Sequence, residues 1–366
     1  MELTLRADVE TLAGMVRGSA SPGERAAAEW VAGRIGGAVE PYRFQRTYTA
    51  VNALHMAAGA LLPPPLPLAV LASLELEGSG RLQWLRRALP AGEGANVVRR
   101  IPGDGPALVV HAHHDAARTG LIWHPRVVAL GAARNLRRRR IDGFQQPVAL
   151  ALLLAALPWR PARRLGQAIL ALGVATQIDV ATSPTVPGAS DNATGVAALL
   201  ALAADPPPGL DLWLVSCGSE ESGMGGMRAF LEAHGAELDR GRTLFLSLDT
   251  LGAGTPIVAG GEGVIAEHRY ADLDLELADA AADAAGLPRP PRWRIGGWTD
   301  PILARFAGHR AISLLSMGPG YLPHYHHPSD VPGNVDWESV EGCLALARAI
   351  AAEWARRGSH EPGSPG

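Results

Sequence analysis

From residue 6 to 36, apolar side chains recur every three or four positions (Val9, Leu12 and Val16, then Ala26, Trp30 and Ile35), with a break at 19–23. That spacing predicts two helices, or one broken helix. Residues 43–51 alternate and predict a strand, while 95–100 and 107–110 predict a hairpin leading into a sheet. The runs at 210–216 and 244–248 are predominantly apolar, the character of strands buried on both faces. Helical spacing returns at 193–204, 225–234 and 335–357. Such alternation predicts an α/β three-layer sandwich around a mixed, largely parallel central sheet. One domain over 1–357 is expected, followed by a polar, disordered tail at 358–366.

Two apolar stretches interrupt this plan, at about 53–75 and 123–178. The first carries Pro63, Pro64, Pro65 and Pro67. The second holds apolar runs at 148–157 and 165–175, joined by the basic linker WRPARR and preceded by Arg134, Arg137, Arg138, Arg139 and Arg140. Each run falls short of the roughly 20 residues that cross a bilayer, which predicts a helical hairpin. Its first reading is a cap that buries its apolar faces against 53–74. Its second is a monotopic element touching a membrane peripherally, with arginines at the headgroups.

Composition narrows the chemistry. With 366 residues and 47% hydrophobic content the chain can bury a large core. The 33 basic and 36 acidic side chains leave a net charge of -3, so no overall field recruits nucleic acid. Every basic side chain other than histidine is arginine, which excludes a P-loop and a lysine Schiff base. Cys217 and Cys343 form no CxxC pair and read as buried, reduced thiols. The acidic amino terminus MELTLRADVETLAG lacks the order of a secretory signal, so a cytoplasmic location is expected, with membrane association under the second reading of the insert.

The candidate chemistry lies where strands end. HAHHD closes an apolar strand on His113 and Asp115, two apart and facing the same way, so Asp115 can orient the imidazole. GASDNATG puts Asp191 at a helix start, where its two oxygens can bridge two cations. SCGSEESGMGG places Glu220 and Glu221 in one small-residue turn, a costly pair to bury unless a cation compensates; one can ligate while the other takes a proton from water. LFLSLDTLG ends a strand on Asp249, and GYLPHYHHPSD offers His324, Tyr325, His326 and His327. Two histidines and three carboxylates suffice for two divalent ions, and the mixed nitrogen and oxygen set suits zinc best.

In order and context these motifs, with VRGSASPGERAAAEWVAGRI, ANVVRRIPG and YHHPSDVPGNVD, resemble the co-catalytic zinc aminopeptidases, a family including bacterial leucyl aminopeptidases and, more distantly, glutaminyl cyclases and glutamate carboxypeptidase. The resemblance implies a zinc-exopeptidase-like fold and hydrolysis of the amino-terminal peptide bond of peptides. It assigns His113, Asp191, Glu221, Asp249 and His326 to two zinc ions, with Asp191 bridging. Glu220 becomes the general base, Asp115 a supporting acid and Tyr325 a group that steadies the oxyanion. Thr299 and Asp300 resemble a Ser-Asp-His stretch in which Pro301 replaces the histidine. Glutaminyl-cyclase-like amide chemistry and a non-catalytic binding module are the alternative readings on the same fold.

Overall fold

The computed structural model describes residues 2–143 and 145–358, so most of the expected tail, 359–366, lies outside the described residues. Its ten strands are β1 (Ala38–Phe44), β2 (Gly92–Ile101), β3 (Ala107–His113), β4 (Arg140–Asp142), β5 (Asp211–Cys217), β6 (Thr243–Leu248), β7 (Thr255–Glu262), β8 (His268–Arg269), β9 (Arg292–Gly296) and β10 (Arg310–Met317). They form one sheet in the order β1-β2-β5-β3-β6-β10-β7-β9-β4, with β8 paired to β7. At its centre β5, β3, β6 and β10 run parallel, and β2 and β7 flank them antiparallel. The central strands are buried almost from end to end, as parallel strands covered by helices on both faces must be. Because they are parallel, His113, the turn after Cys217 and Asp249 emerge along one edge of the sheet, the edge where open α/β sheets gather ligands.

The expected helices form with small shifts in their ends: Glu2–Ala13, Pro22–Ile35, Thr194–Ala204, Gly225–His234 and Trp337–Gly358. Ser21 caps the second, its hydroxyl oxygen accepting from Glu24 N, and Gly36 closes it in the left-handed region at φ 68°.

Two expectations change. Strand character over 43–51 holds only for Arg43 and Phe44, the end of edge strand β1, and Thr49–Leu61 is a helix. Nor do β2 and β3 make a hairpin: β5 inserts between them, antiparallel to one and parallel to the other. Two apolar strands close in sequence carry no record of which strand comes between them. The proline-rich stretch is the turn between Thr49–Leu61 and a second helix, Pro67–Gly78, which starts with proline where no intrahelical N–H is needed.

The larger insertion contains helices Gln145–Ala155 and Arg160–Thr182. They pack on Thr49–Leu61 and Pro67–Gly78 around a core separate from that of the sheet, with Met56, Leu74, Leu152 and Leu170 at its centre. The second helix is longer than the apolar run suggested: its 23 residues are long and apolar enough to cross a membrane, by length and composition alone.

Candidate metal centre

Asp191 stands between two groups of donors. One of its oxygens lies 3.3 Å from His113 Nε2, which is also 3.8 Å from Asp249 Oδ1. Its other oxygen lies 3.3 Å from His326 Nε2, itself 3.1 Å from Glu221 Oε2. Within each triple, His113–Asp191–Asp249 and Asp191–Glu221–His326, the donor atoms fall within 4.8 Å of one another. Two bonds of ~2.0–2.1 Å at a tetrahedral angle put their donor atoms roughly 3.3–3.4 Å apart, close to these spacings. Glu220 sits within 4.8 Å of donors from both triples, His113 and Glu221.

These groups fit cations. Neither ring nitrogen of His326 makes a hydrogen bond, and Glu221 Oε1 is likewise buried without a partner. Burial opposes charge on His326, yet Glu221 and Asp191 push it up to about 10. His113 also rises well above its ordinary value: burial works against it, and Asp115, Asp191 and Asp249 outweigh that. Burial drives Glu220 far above the usual carboxylate range; His113 opposes this, and Asp300, Glu221 and Asp249 add to it. So many carboxylates around two imidazoles call for positive charge, which bound divalent metal would supply.

Neighbouring side chains hold the donors in place. Asp115 is fully buried. It accepts from Ser19 Oγ (2.6 Å), Glu220 N (3.0 Å) and Glu221 N (3.2 Å), with His113 Nδ1 3.4 Å away. It therefore positions the imidazole and the Glu220–Glu221 turn. Asp115→Asn places an amide against those N–H groups and is expected to weaken metal affinity about 10–100-fold, read by competition with a chromogenic chelator.

Asn192 follows Asp191 across a cis peptide bond. Its amide donates to Leu248 O (2.9 Å) and accepts from Thr250 N (3.0 Å), tying Asp191 to the loop that carries Asp249. Gly195 allows this: a Cβ there would come within 2.3 Å of both Asn192 Oδ1 and Leu248 O. Gly195→Ala is expected to displace Asp191 from Asp249, so the folded variant should bind less metal, read by elemental analysis after gel filtration. Left-handed non-glycine residues occur at or beside donors, at Ser219 (φ 50°), Thr250 (φ 48°) and His326 (φ 52°), as strained backbone tends to gather at functional sites.

His114 bonds Ser216, and both His324 and His327 bond Ser329, so of the histidines at 324–327 it is His326 that stands in a donor triple. Tyr325 stacks on His326 with ring centroids 3.8 Å apart, and burial followed by the nearby carboxylates keeps its phenol protonated. Asp300 lies beside the centre with His111 and Cys217. Burial pushes Asp300 up to about 8 and His111 down to about 3, favouring an uncharged group. Thr299 instead bonds Glu262.

Sequence reading gave no role to several residues that build this centre. The Arg17 guanidinium, fully buried, donates to carbonyls of Leu12, Pro187 and Gly188, bracing the turn before Asp191. Burial lowers it only to about 10, so it stays cationic behind the carboxylates. Asp330 accepts from Ser190 N (2.8 Å) and Asp191 N (3.1 Å). Glu24 receives Ser219 through both its N–H and its hydroxyl, each at 2.8 Å. Trp123, where the insertion begins, meets His326 edge-on at 4.3 Å. The only sequence signal for Arg17 and Glu24 was their place in a motif shared with the resembled family. A separate cavity of about 740 Å³, lined by Gly80, Arg81, Arg228, Leu303, Arg305 and Phe306, contains none of these residues.

Two donor triples sharing a carboxylate, with a further acid between them at the carboxyl edge of a parallel sheet, are the equipment of a metal-dependent hydrolase. Residues 175–351 match the model of Peptidase family M28. The span includes every donor except His113, which β3 brings in from outside it. Among solved structures, the aminopeptidase from Aneurinibacillus sp. strain AM-1 is similar at 14% identity and TM-score 0.55, covering 98% of this chain and 94% of that one. A zinc aminopeptidase from Bacillus subtilis shares 12% identity at TM-score 0.55, covering 96% and 94%. A Zn-dependent exopeptidase from Parabacteroides distasonis shares 11% at TM-score 0.54, covering 96% and 98%. Likeness at such identity establishes the common fold. No curated protein gives a significant match.

Proposed function

We propose that this peptidase is a two-zinc aminopeptidase that hydrolyses the amino-terminal peptide bond of peptides. The observation that carries the reading is the division of Asp191, one oxygen toward His113 and the other toward His326. His113, Asp191 and Asp249 would hold one ion, and Asp191, Glu221 and His326 the other. Bound there, two such ions would polarise the scissile carbonyl and acidify the attacking water. Glu220, between the triples, accepts a proton from that water and returns it to the leaving amine. Tyr325, held protonated, can donate a hydrogen bond to the oxygen that gains charge. The surplus of carboxylates favours a terminal ammonium, and so a free chain end. The mixed nitrogen and oxygen donors suit zinc, and the similar folds named as zinc aminopeptidase and Zn-dependent exopeptidase support the choice.

The test is hydrolysis of a panel of peptides with free and blocked amino termini, before chelation, after it, and with zinc restored. Release of single amino acids from free termini only, lost on chelation and regained with zinc, is the expected result. Cleavage of blocked peptides would overturn the aminopeptidase assignment. Tight zinc binding without any hydrolysis would overturn peptide bonds as the substrate and redirect attention to cyclisation of amino-terminal glutamine or to ligand binding.

A further inference from the structure

The outer surface of the helical cap has no role in the metal centre and a composition unlike the rest of the surface. On Arg160–Thr182 the exposed positions between the ends are Arg164, Leu165, Ala168, Ala171, Leu172, Ala175 and Ile178, one stripe at three- and four-residue spacing. Leu165, Leu172 and Ile178 are 55–67% exposed, and only 22% of the helix's 18-residue apolar window is buried. A core helix of similar composition would be mostly covered. Leu68 and Leu76 on one neighbouring helix and Leu150 and Leu153 on another extend the apolar surface. Across all four cap helices the only exposed charged side chains are Arg160 and Arg164.

The helices run up and down between the sheet and a distal tip. Gln167 Nε2 donates to Ala60 O (2.8 Å), setting the start of Arg160–Thr182 beside the end of Thr49–Leu61. The tip is therefore formed by the turns around Leu62 and Leu66 and around Leu157 and Trp159, all exposed. A solvated surface does not need so much continuous apolar area.

Cations stand at both ends of the long helix. At its start are Arg160, Arg163 and Arg164, beside Trp159. At its end Asp179 accepts from Leu121 N (2.6 Å), anchoring a segment that bears exposed Arg126, Arg137, Arg138 and Arg139. No acidic residue occurs from 116 to 141. Among the described residues, none of these seven arginines has an ion pair, whereas Arg134 and Arg140 both pair with Asp142. A second copy docking across a two-fold axis would turn this acid-poor face on itself and offer the arginines no partner. Lipid phosphates supply that partner, and acyl chains suit the leucines.

We propose that the cap is a monotopic docking element whose apolar face sinks into one leaflet of an anionic bilayer while the flanking arginines meet headgroup phosphates. The other three helices, of 11–13 residues, reach only about 16–20 Å at 1.5 Å per residue, too short for a hydrocarbon core of roughly 30 Å. The cap therefore enters the membrane without crossing it.

The experiment is flotation of the purified full-length protein with phosphatidylcholine vesicles and with vesicles that also contain phosphatidylglycerol. Wild type should float with the anionic vesicles and more weakly with the neutral ones. The combined variant Leu165→Ser, Leu172→Ser, Ile178→Ser should stay in the dense fraction while keeping its circular dichroism spectrum. Arg160→Gln, Arg163→Gln and Arg164→Gln should each lower partitioning into anionic vesicles about fivefold, as expected for a basic residue near a charged membrane surface. If the serine variant misfolds, the arginine series decides. Wild type remaining in the dense fraction with both vesicles overturns the proposal, whether light scattering then shows monomer or dimer. Undiminished flotation of a folded serine variant, or of the arginine variants, overturns it equally.

Discussion

Asp191→Asn is expected to strip the protein of both metal ions and of all measurable hydrolysis. Each oxygen of Asp191 faces a different histidine, 3.3 Å away in both cases, so one residue serves both triples. Asparagine keeps the shape but presents an oxygen on one side and an NH2 group, which cannot ligate, on the other. It also removes a negative charge from between the two cations. Metal content per chain, measured by elemental analysis after equilibration with limiting zinc, should fall from about two equivalents to nearly none. The fold should persist without metal, because the substitution relieves repulsion among buried carboxylates. Retention of two tightly held ions would show that Asp191 does not bridge, and the two-metal reading would fail with it.

For Glu220→Gln the expectation separates chemistry from metal binding. Glu220 belongs to neither triple that contains Asp191 yet lies within 4.8 Å of His113 and Glu221, where it can move a proton without holding an ion. Removing a general acid–base group costs typically about 10²–10⁴-fold in rate. The variant should lose that much in kcat, keep its zinc, and change KM little. A kcat within about tenfold of wild type would assign proton transfer to another group; a parallel loss of zinc would make Glu220 a ligand.

Several features of the centre were readable before any fold was known because they depend on local chemistry. Two adjacent acids in a Gly-rich turn, an aspartate ending an apolar strand and another beginning a helix are all poor core residues, and that misfit is visible one segment at a time. All five proposed donors and Glu220 meet at one edge of the sheet. The residues that hold them were not readable in the same way. Arg17, Glu24, Asn192 and Asp330 act on backbone groups up to about 195 positions away in the chain, and nothing in their own segments points to those partners. Asp115 was legible as a helper of His113, but its grip on Glu220 N and Glu221 N was not, since that joins two separate strand ends.

The same division holds for the fold. Periodicity alone determined the helices at Pro22–Ile35, Gly225–His234 and Trp337–Gly358 and the buried character of β5 and β6, because spacing and predominant apolarity are properties of one segment. Composition alone ruled out lysine chemistry. Only the tertiary structure decided that β5 lies between β2 and β3, and that Thr49–Leu61 is a helix although its lead-in alternates like a strand. Pairing order and helix–helix burial are set by which surfaces find one another, and the free energy of that choice is shared by segments far apart. For the same reason the chain by itself named Asp191 as able to bridge two cations, while its two oxygens could be matched to His113 and His326 only once the sheet had brought three separate loops to one edge.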